Sequence, residues 1–378
     1  MNDETNRQTY RLPLAPSLLL ALALTFFMAF CAFPEVVLCR YMVVLVFVLL
    51  LLIAVRSRLV IALSAIPCLL AFFTAESAPL LPLLLCLVAV IGYGGFAIVS
   101  MHPVLVLSAP AAACLLGYAI TGDPTRALFT LSFVPLALVA ALALRLKLSR
   151  TASIAAVSAL LLVGTLIAVG LVLAPHVGTF SLETIKTLVA DLRDALCAEF
   201  AAVSEAAVAS GLMKEAYTAK DLLPMINSAL RLLPASIIVI VETLAYLGCL
   251  IAITLRTSQF PEEKLPSACR MFRMSAPSAA IFLMCFVLTL FPLGKNDAVG
   301  ILLISALNLF VILTPGLALC GILHLLVSFR QRRAFPPLLL IVLCLWFFSA
   351  LPTLLAFVGA FTVLRTEKAF QKSQNHGK

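Results

Sequence analysis

Pro79-Leu-Leu-Pro-Leu-Leu-Leu-Cys-Leu-Val-Ala-Val-Ile-Gly-Tyr-Gly-Gly-Phe-Ala-Ile-Val-Ser100 contains no charged residue, and its reading decides the fold. A helix of about 20 apolar residues crosses the roughly 30 Å hydrocarbon layer of a bilayer, so this stretch reads as one crossing. Outward from it, runs of the same kind recur at 14–33, 35–55, 59–75, 104–120, 127–146, 151–174, 229–255, 277–294, 298–328 and 335–364. With 63% hydrophobic and 11% charged residues and a mean hydropathy of +1.16, a chain of 378 residues lacks the polar surface that a water-soluble globule needs. The runs are unbroken and rich in Leu and Ala, whereas barrel strands alternate apolar and polar positions over about ten residues. The expected fold is therefore all-α, a polytopic transmembrane helix bundle of about 10–11 spans.

Short cytoplasmic loops are enriched in Lys and Arg. Arg7 and Arg11, Arg56 and Arg58, Arg145, Lys147 and Arg150, Arg256, Lys264, Arg270 and Arg273, and Arg330, Arg332 and Arg333 fall in alternate gaps, while the other short gaps carry Arg40, Arg126 and Lys295. This places the N-terminus in the cytoplasm. The first run is expected to be a retained signal anchor, because its apolar stretch is too long for a cleaved leader and no small-x-small site follows it. Eleven crossings would set the tail outside, yet that tail holds Arg365, Lys368, Lys372 and Lys378. Either 59–75 or 104–120 is not a span, or the last run does not simply cross once. The net charge of +9 is a topology signal and an attraction to anionic headgroups. No basic stretch is interleaved with aromatics in a polar region, so the lipid bilayer, and not nucleic acid, is the expected partner.

The expected organisation is a cytoplasmic tail at 1–13, an N-terminal bundle at 14–175, an external amphipathic segment at 176–228, a C-terminal bundle at 229–364 and a polar tail at 365–378. In the external segment Leu182, Ile185, Leu188, Val189, Leu192, Leu196, Phe200 and Val203 recur at three- and four-residue steps and draw one apolar stripe along a helix. Ser181 can cap it, and Glu183 suits its first turn. Ser210-Gly211 marks a break, and a second amphipathic stretch near 213–233 runs through Pro224 and Pro234 into the next span. The segment reads as a helical hairpin over the bundle mouth or along the interface.

Eleven cysteines show no Cys-x-x-Cys spacing and lie mostly in apolar runs, where a thiol behaves as a small hydrophobe. No disulfide framework, metal site or cofactor is expected. His324 reads as an interfacial histidine near the cytoplasmic surface, because no second His or Cys stands at ligand spacing. A charge at mid-bilayer is costly without a partner or a purpose, which singles out Glu242 within Ser236-Ile-Ile-Val-Ile-Val-Glu-Thr-Leu-Ala-Tyr246. Asn308 falls within a later run. The two are ligand-binding candidates, facing each other across the bundle with Glu242 protonated or holding a cation or ligand amine; the competing expectation is an interhelical hydrogen bond that fixes packing.

Ile91-Gly-Tyr-Gly-Gly95 suggests a potassium filter only superficially, since a filter needs a re-entrant loop; close helix packing or a kink is the expected role. Ala21, Thr25 and Ala29 form a small-residue stripe suited to a helix contact. Pro110, Pro135, Pro315 and Pro352 interrupt crossings, and Pro315-Gly316 is expected to be the strongest helix break, splitting a run too long for one perpendicular helix.

Ser108-Ala-Pro110, Thr121-Gly-Asp-Pro124, Arg145-Leu-Lys-Leu-Ser-Arg150-Thr-Ala, Leu232-Leu-Pro234 at the start of a span and the Pro-rich final runs ending in Leu364-Arg365 resemble the YybS-like family of bacterial multi-pass membrane proteins, a domain of unknown function. The resemblance implies a bacterial inner membrane and no established activity. That family's organisation is similar to the substrate-binding subunits of energy-coupling-factor transporters, which implies a small-molecule ligand. A solute-binding or transport component is thus one expected function. A non-catalytic membrane scaffold or assembly factor in envelope processes, with a membrane protein partner, is the other. An enzyme is not expected, since Gly-x-Ser-x-Gly, His-Glu-x-x-His and paired intrahelical aspartates are lacking.

Overall fold

A computed structural model describes residues 11–34, 36–37, 41–42, 80–177, 182–211, 214–261, 274–290, 297–332 and 351–375, and every regular element among them is a helix. In chain order these are α1 (Leu14–Ala32), α2 (Leu80–Ser100), α3 (Pro103–Thr121), α4 (Pro124–Phe129), a 3₁₀ turn (Thr130–Ser132), α5 (Phe133–Arg145), α6 (Arg150–Val177), α7 (Leu182–Ala209), α8 (Ala219–Gln259), α9 (Ala276–Thr289), α10 (Asp297–Arg332) and α11 (Leu351–Asn375). Among the described residues six stretches are long and apolar enough to cross a membrane, at Leu14–Ala32, Leu83–Ser100, Pro103–Thr121, Ala127–Arg145, Ala219–Gln259 and Val299–Leu325. Thr151–Ile167, Ala276–Thr289 and Leu351–Thr366 are shorter apolar helices. The runs expected at 35–55 and 59–75 lie outside the described residues, apart from single positions at the start of the first. Leu107, Leu115 and Ile301 are more than 60% exposed on such helices, as a lipid solvent permits.

Contacts divide the chain into one unit of residues 1–162 with 241–272 and another of 163–240 with 273–378. In the first unit the glycines of Ile91–Gly95 are packing surfaces. A Cβ at Gly92 would meet Ile251 of α8 at 2.6 Å, and one at Gly248 would meet Ile91 at 2.6 Å. On the other side of α2, Gly94 and Gly95 face Ala137 and Ala140 of α5 at 2.7 and 2.8 Å. Lacking side chains at these points, the backbones come close enough for dispersion to hold them, which is the main attraction between helices in lipid. Tyr93 between them is fully buried and stacks on Phe27 of α1, with ring centroids 6.4 Å apart. The Ala21, Thr25 and Ala29 stripe is buried as well, and Thr25 Oγ1 lies 2.9 Å from the Ala21 carbonyl and 3.3 Å from the Ala109 carbonyl of α3.

Ser100, at the end of α2, ties three elements together. Its carbonyl accepts from the Leu12 amide at 2.8 Å, and its Oγ accepts from Arg256 Nη1 of α8 at 2.8 Å. Arg256 is buried, and its guanidinium sits 4.4 Å from the centre of the Phe260 ring. Leu144 in the last turn of α5 and Leu148 beyond its end lie around a small gap with Cys249, Ala252 and Ile253. Arg11, Arg145, Lys147 and Arg256 therefore stand at one end of this unit, as the alternation of charged gaps requires.

In the second unit, α9 crosses α10 and α11 through stacked aromatics. Phe282 lies 4.8 Å from Phe310 and 5.3 Å from Phe357, and Phe286 lies 4.7 Å from Phe357, between ring centroids. Ser275 caps α9 by accepting from the Ser278 amide at 3.3 Å. The tightest approach is between α10 and α11: a Cβ at Gly321 would overlap the Leu355 carbonyl, and one at Gly359 would overlap the Leu317 carbonyl. Leu317 and Gly321 thus face Leu355 and Gly359, and one turn further His324 shares a groove with Thr362 and Arg365. Positions rise together on both helices, so α10 and α11 run parallel.

The described part of α11 starts at Leu351, toward the opposite end of α10 from Arg332, and runs toward the end of the unit where α10 finishes. Residues 335–350 of the last expected run lie outside the described residues, and Pro352 is the second described position of α11. The break expected at Pro315-Gly316 is absent, because α10 is one helix from Asp297 to Arg332 with Pro315 inside it. Thr314 Oγ1 donates to the Phe310 carbonyl at 2.7 Å there, giving that backbone a local partner.

The second unit also contains a hairpin of α7 and the start of α8. Gly211, with φ of 76°, ends the first arm after Ala209, and Ser204 Oγ accepts from the Tyr217 amide at 3.0 Å across the turn. Cys197, Leu222 and Ile226 form the buried seam. The expected stripe is split by this packing: Leu196 joins the seam, while Val189, Leu192, Phe200 and Val203 stay exposed. Nearby, a 2.8 Å pair with Arg193 holds the Asp194 carboxyl below its ordinary range. Ser181 lies outside the described residues. The second arm is no separate helix, since α8 continues unbroken from Ala219 to Gln259.

Two outcomes follow from the α10–α11 crossing. Gly359→Ala should lower stability in detergent by about 1–3 kcal/mol, whereas Gly164→Ala, with open space around it, should be neutral or stabilising by up to about 1 kcal/mol; thermal unfolding measures both. In single-cysteine variants, Gln331→Cys and Gln371→Cys should react with an impermeant maleimide from the same face of the membrane.

Candidate functional site

α8 carries Glu242 and α10 carries Asn308. The α8 stretch from Leu232 to Leu255 contains one acidic or basic residue, Glu242, standing eleven residues after Arg231 and fourteen before Arg256. At 1.5 Å per residue these are about 16 and 21 Å, so the carboxyl lies near the centre of the span. Its neighbours Val241, Leu244 and Ala245 are buried and Glu242 itself is half-buried. Among the described residues its carboxyl makes no hydrogen bond or ion pair.

Asn308 of α10 makes the interhelical hydrogen bonds of the competing expectation. Its Oδ1 accepts from the Ala235 amide at 3.2 Å, and its Nδ2 donates to the Arg231 carbonyl at 3.0 Å and to the Ile304 carbonyl of its own helix at 2.9 Å. Residues 231 and 235 are i and i+4, the two groups that bond to each other in a regular helix. Between them stands Pro234, whose missing N–H and bulky ring weaken the ladder here. The side-chain amide of Asn308 bonds to both backbone groups, one way for a membrane helix that contains proline to keep its polar atoms paired. None of these bonds goes to Glu242, so the amide serves as an interhelical fastening seven residues before the carboxyl.

Beside this fastening is a cavity of about 200 Å³ lined by Ser228, Arg231 and Leu232 of α8, Thr289 of α9, and Leu303, Ile304 and Leu307 of α10. Both hydroxyls are turned onto backbone: Ser228 donates to the Pro224 carbonyl at 2.8 Å and Thr289 to the Phe286 carbonyl at 2.7 Å. Arg231 is then the group able to bind an anion there. Sequence reasoning missed Arg231, because a lone arginine before a span reads as an end marker; its place two residues before Leu233-Pro234 was the available signal.

A second groove, of about 510 Å³, lies between α10 and α11 and is lined by His324, Val358, Phe361, Thr362, Arg365 and Thr366. His324 is exposed at this interface. Among the described residues no three His, Cys, Asp or Glu side chains gather as a metal site. Cys31, Cys86, Cys114, Cys197, Cys249, Cys285 and Cys320 form no disulfide among the described residues, and six of them are buried.

Helices of spanning length whose backbones meet at glycine define an all-helical polytopic membrane protein. More particularly, the chain belongs to the family described as "Predicted membrane protein (DUF2232)", whose model matches residues 65–361. No curated protein and no solved structure matches the chain.

The kink repair can be tested by a double-mutant cycle. Asn308→Ala should cost about 1–3 kcal/mol in the wild-type background, the usual cost of stranding buried backbone groups. It should cost clearly less when combined with Pro234→Ala, where α8 can close the 231–235 bond itself; thermal unfolding in detergent reads the difference.

Proposed function

We propose that this protein is a non-enzymatic solute-binding or transport component of the bacterial inner membrane, with its basic helix ends and N-terminus in the cytoplasm. The observation that carries this reading is Glu242, a carboxyl near the centre of a membrane helix with no hydrogen bond or ion pair among the described residues. Such a group is retained at mid-bilayer when it meets a cation, a proton or a polar ligand during function, because an idle carboxyl there only destabilises the span.

A second reading, a membrane scaffold for envelope processes, is favoured by the exposed Val189, Leu192, Phe200 and Val203 on the hairpin. Such an apolar face suits a protein partner or the headgroup boundary.

Native mass spectrometry of the detergent-purified protein separates the two. A solute-binding component retains a small molecule, and Glu242→Gln should reduce its occupancy by about tenfold or more, the equivalent of one lost charge-assisted contact of roughly 1.5–3 kcal/mol. Unchanged occupancy in the variant, or a co-purifying protein with no small molecule, would overturn the first reading.

A further inference from the structure

The groove between α10 and α11 has a charge and depth pattern that the preceding reading does not use. Its lower part is apolar, formed by Val358 and Phe361 just beyond the Gly321–Gly359 crossing, and Phe361 is 62% exposed. Its upper part carries His324 and Arg365, with Thr362 and Thr366 beside them. Both hydroxyls donate into their own helix, Thr362 to the Val358 carbonyl at 2.7 Å and Thr366 to the Thr362 carbonyl at 3.0 Å, so His324 and Arg365 are the donors for a ligand. In sequence the apolar run of α11 ends at Leu364, directly before Arg365, so the change from apolar to cationic falls at the end of that run.

We propose that this groove binds an anionic phospholipid, its phosphate on Arg365 and His324 and an acyl chain along Val358 and Phe361. Basic pockets between membrane helices select such headgroups through charge-assisted hydrogen bonds and the local positive field. The apolar floor distinguishes a lipid from a free phosphate, which would gain nothing from Phe361. The proposal is independent of any role for Glu242.

The test is native mass spectrometry of delipidated protein titrated with dioleoyl phosphatidylglycerol or dioleoyl phosphatidylcholine. Phosphatidylglycerol adducts should exceed phosphatidylcholine adducts by about fivefold, the effect expected of one well-placed cation. Arg365→Gln should abolish this preference, Arg365→Lys should keep most of it, and Phe361→Ala should weaken retention of phosphatidylglycerol. Equal retention of the two lipids, or an undiminished preference in Arg365→Gln, would overturn the proposal. Displacement of phosphatidylglycerol by millimolar inorganic phosphate, with Phe361→Ala without effect, would overturn it in favour of a soluble anion. Because Arg365 is exposed, the lysine variant should fold, and it shows whether loss in Arg365→Gln reflects charge or structure.

Discussion

Apolar helices in lipid have little reason to touch one another, because the surrounding chains are as apolar as they are. What holds this bundle together is therefore the closeness of its backbones. Each unit uses glycine for the purpose. Gly92, Gly94, Gly95 and Gly248 bring α2 against α8 and α5, and Gly321 and Gly359 bring α10 against α11. Aromatic rings occupy the neighbouring positions, with Tyr93 on Phe27 in one unit and Phe282 between Phe310 and Phe357 in the other. The larger side chains fix orientation and the glycines fix distance.

The second constraint is that no backbone polar group can be left without a partner away from water. Next to Pro234, which has no N–H, Asn308 supplies both a donor and an acceptor to the α8 backbone. An amide on α10 that bonds to the backbone of α8 ties the two helices together.

Fold class was legible because twenty-residue apolar runs have only one stable form in a bilayer, and the glycine cluster at 91–95 was legible as packing because no re-entrant loop accompanies it. The hairpin was legible at Gly211, where a positive φ is needed, but not in the fate of its stripe, since period alone does not say which half of an apolar face finds a neighbour. Helix ends were harder to read. The direction of α11 relative to α10 could not be read, because the 335–364 run contains no charged residue to mark a helix end. Asn308 was recognised as an unusual residue in a span, but its partner is the backbone of a helix more than seventy positions earlier, and backbone leaves no trace in sequence. Arg231, His324 and Arg365 become a cavity wall and a groove only when helices distant in sequence are brought side by side.

The parallel course of α10 and α11 bears on how the second unit is made. Antiparallel neighbours can pair as soon as a short loop has formed, but this pair needs the chain to recross before the two glycine faces can meet. The α10 surface around Leu317 and Gly321 thus waits, uncovered, until Ala360 has left the ribosome. Closure of this unit is a late event in biosynthesis, and a chain arrested before that point presents to the membrane's proteolytic machinery a notched helix that the finished protein conceals.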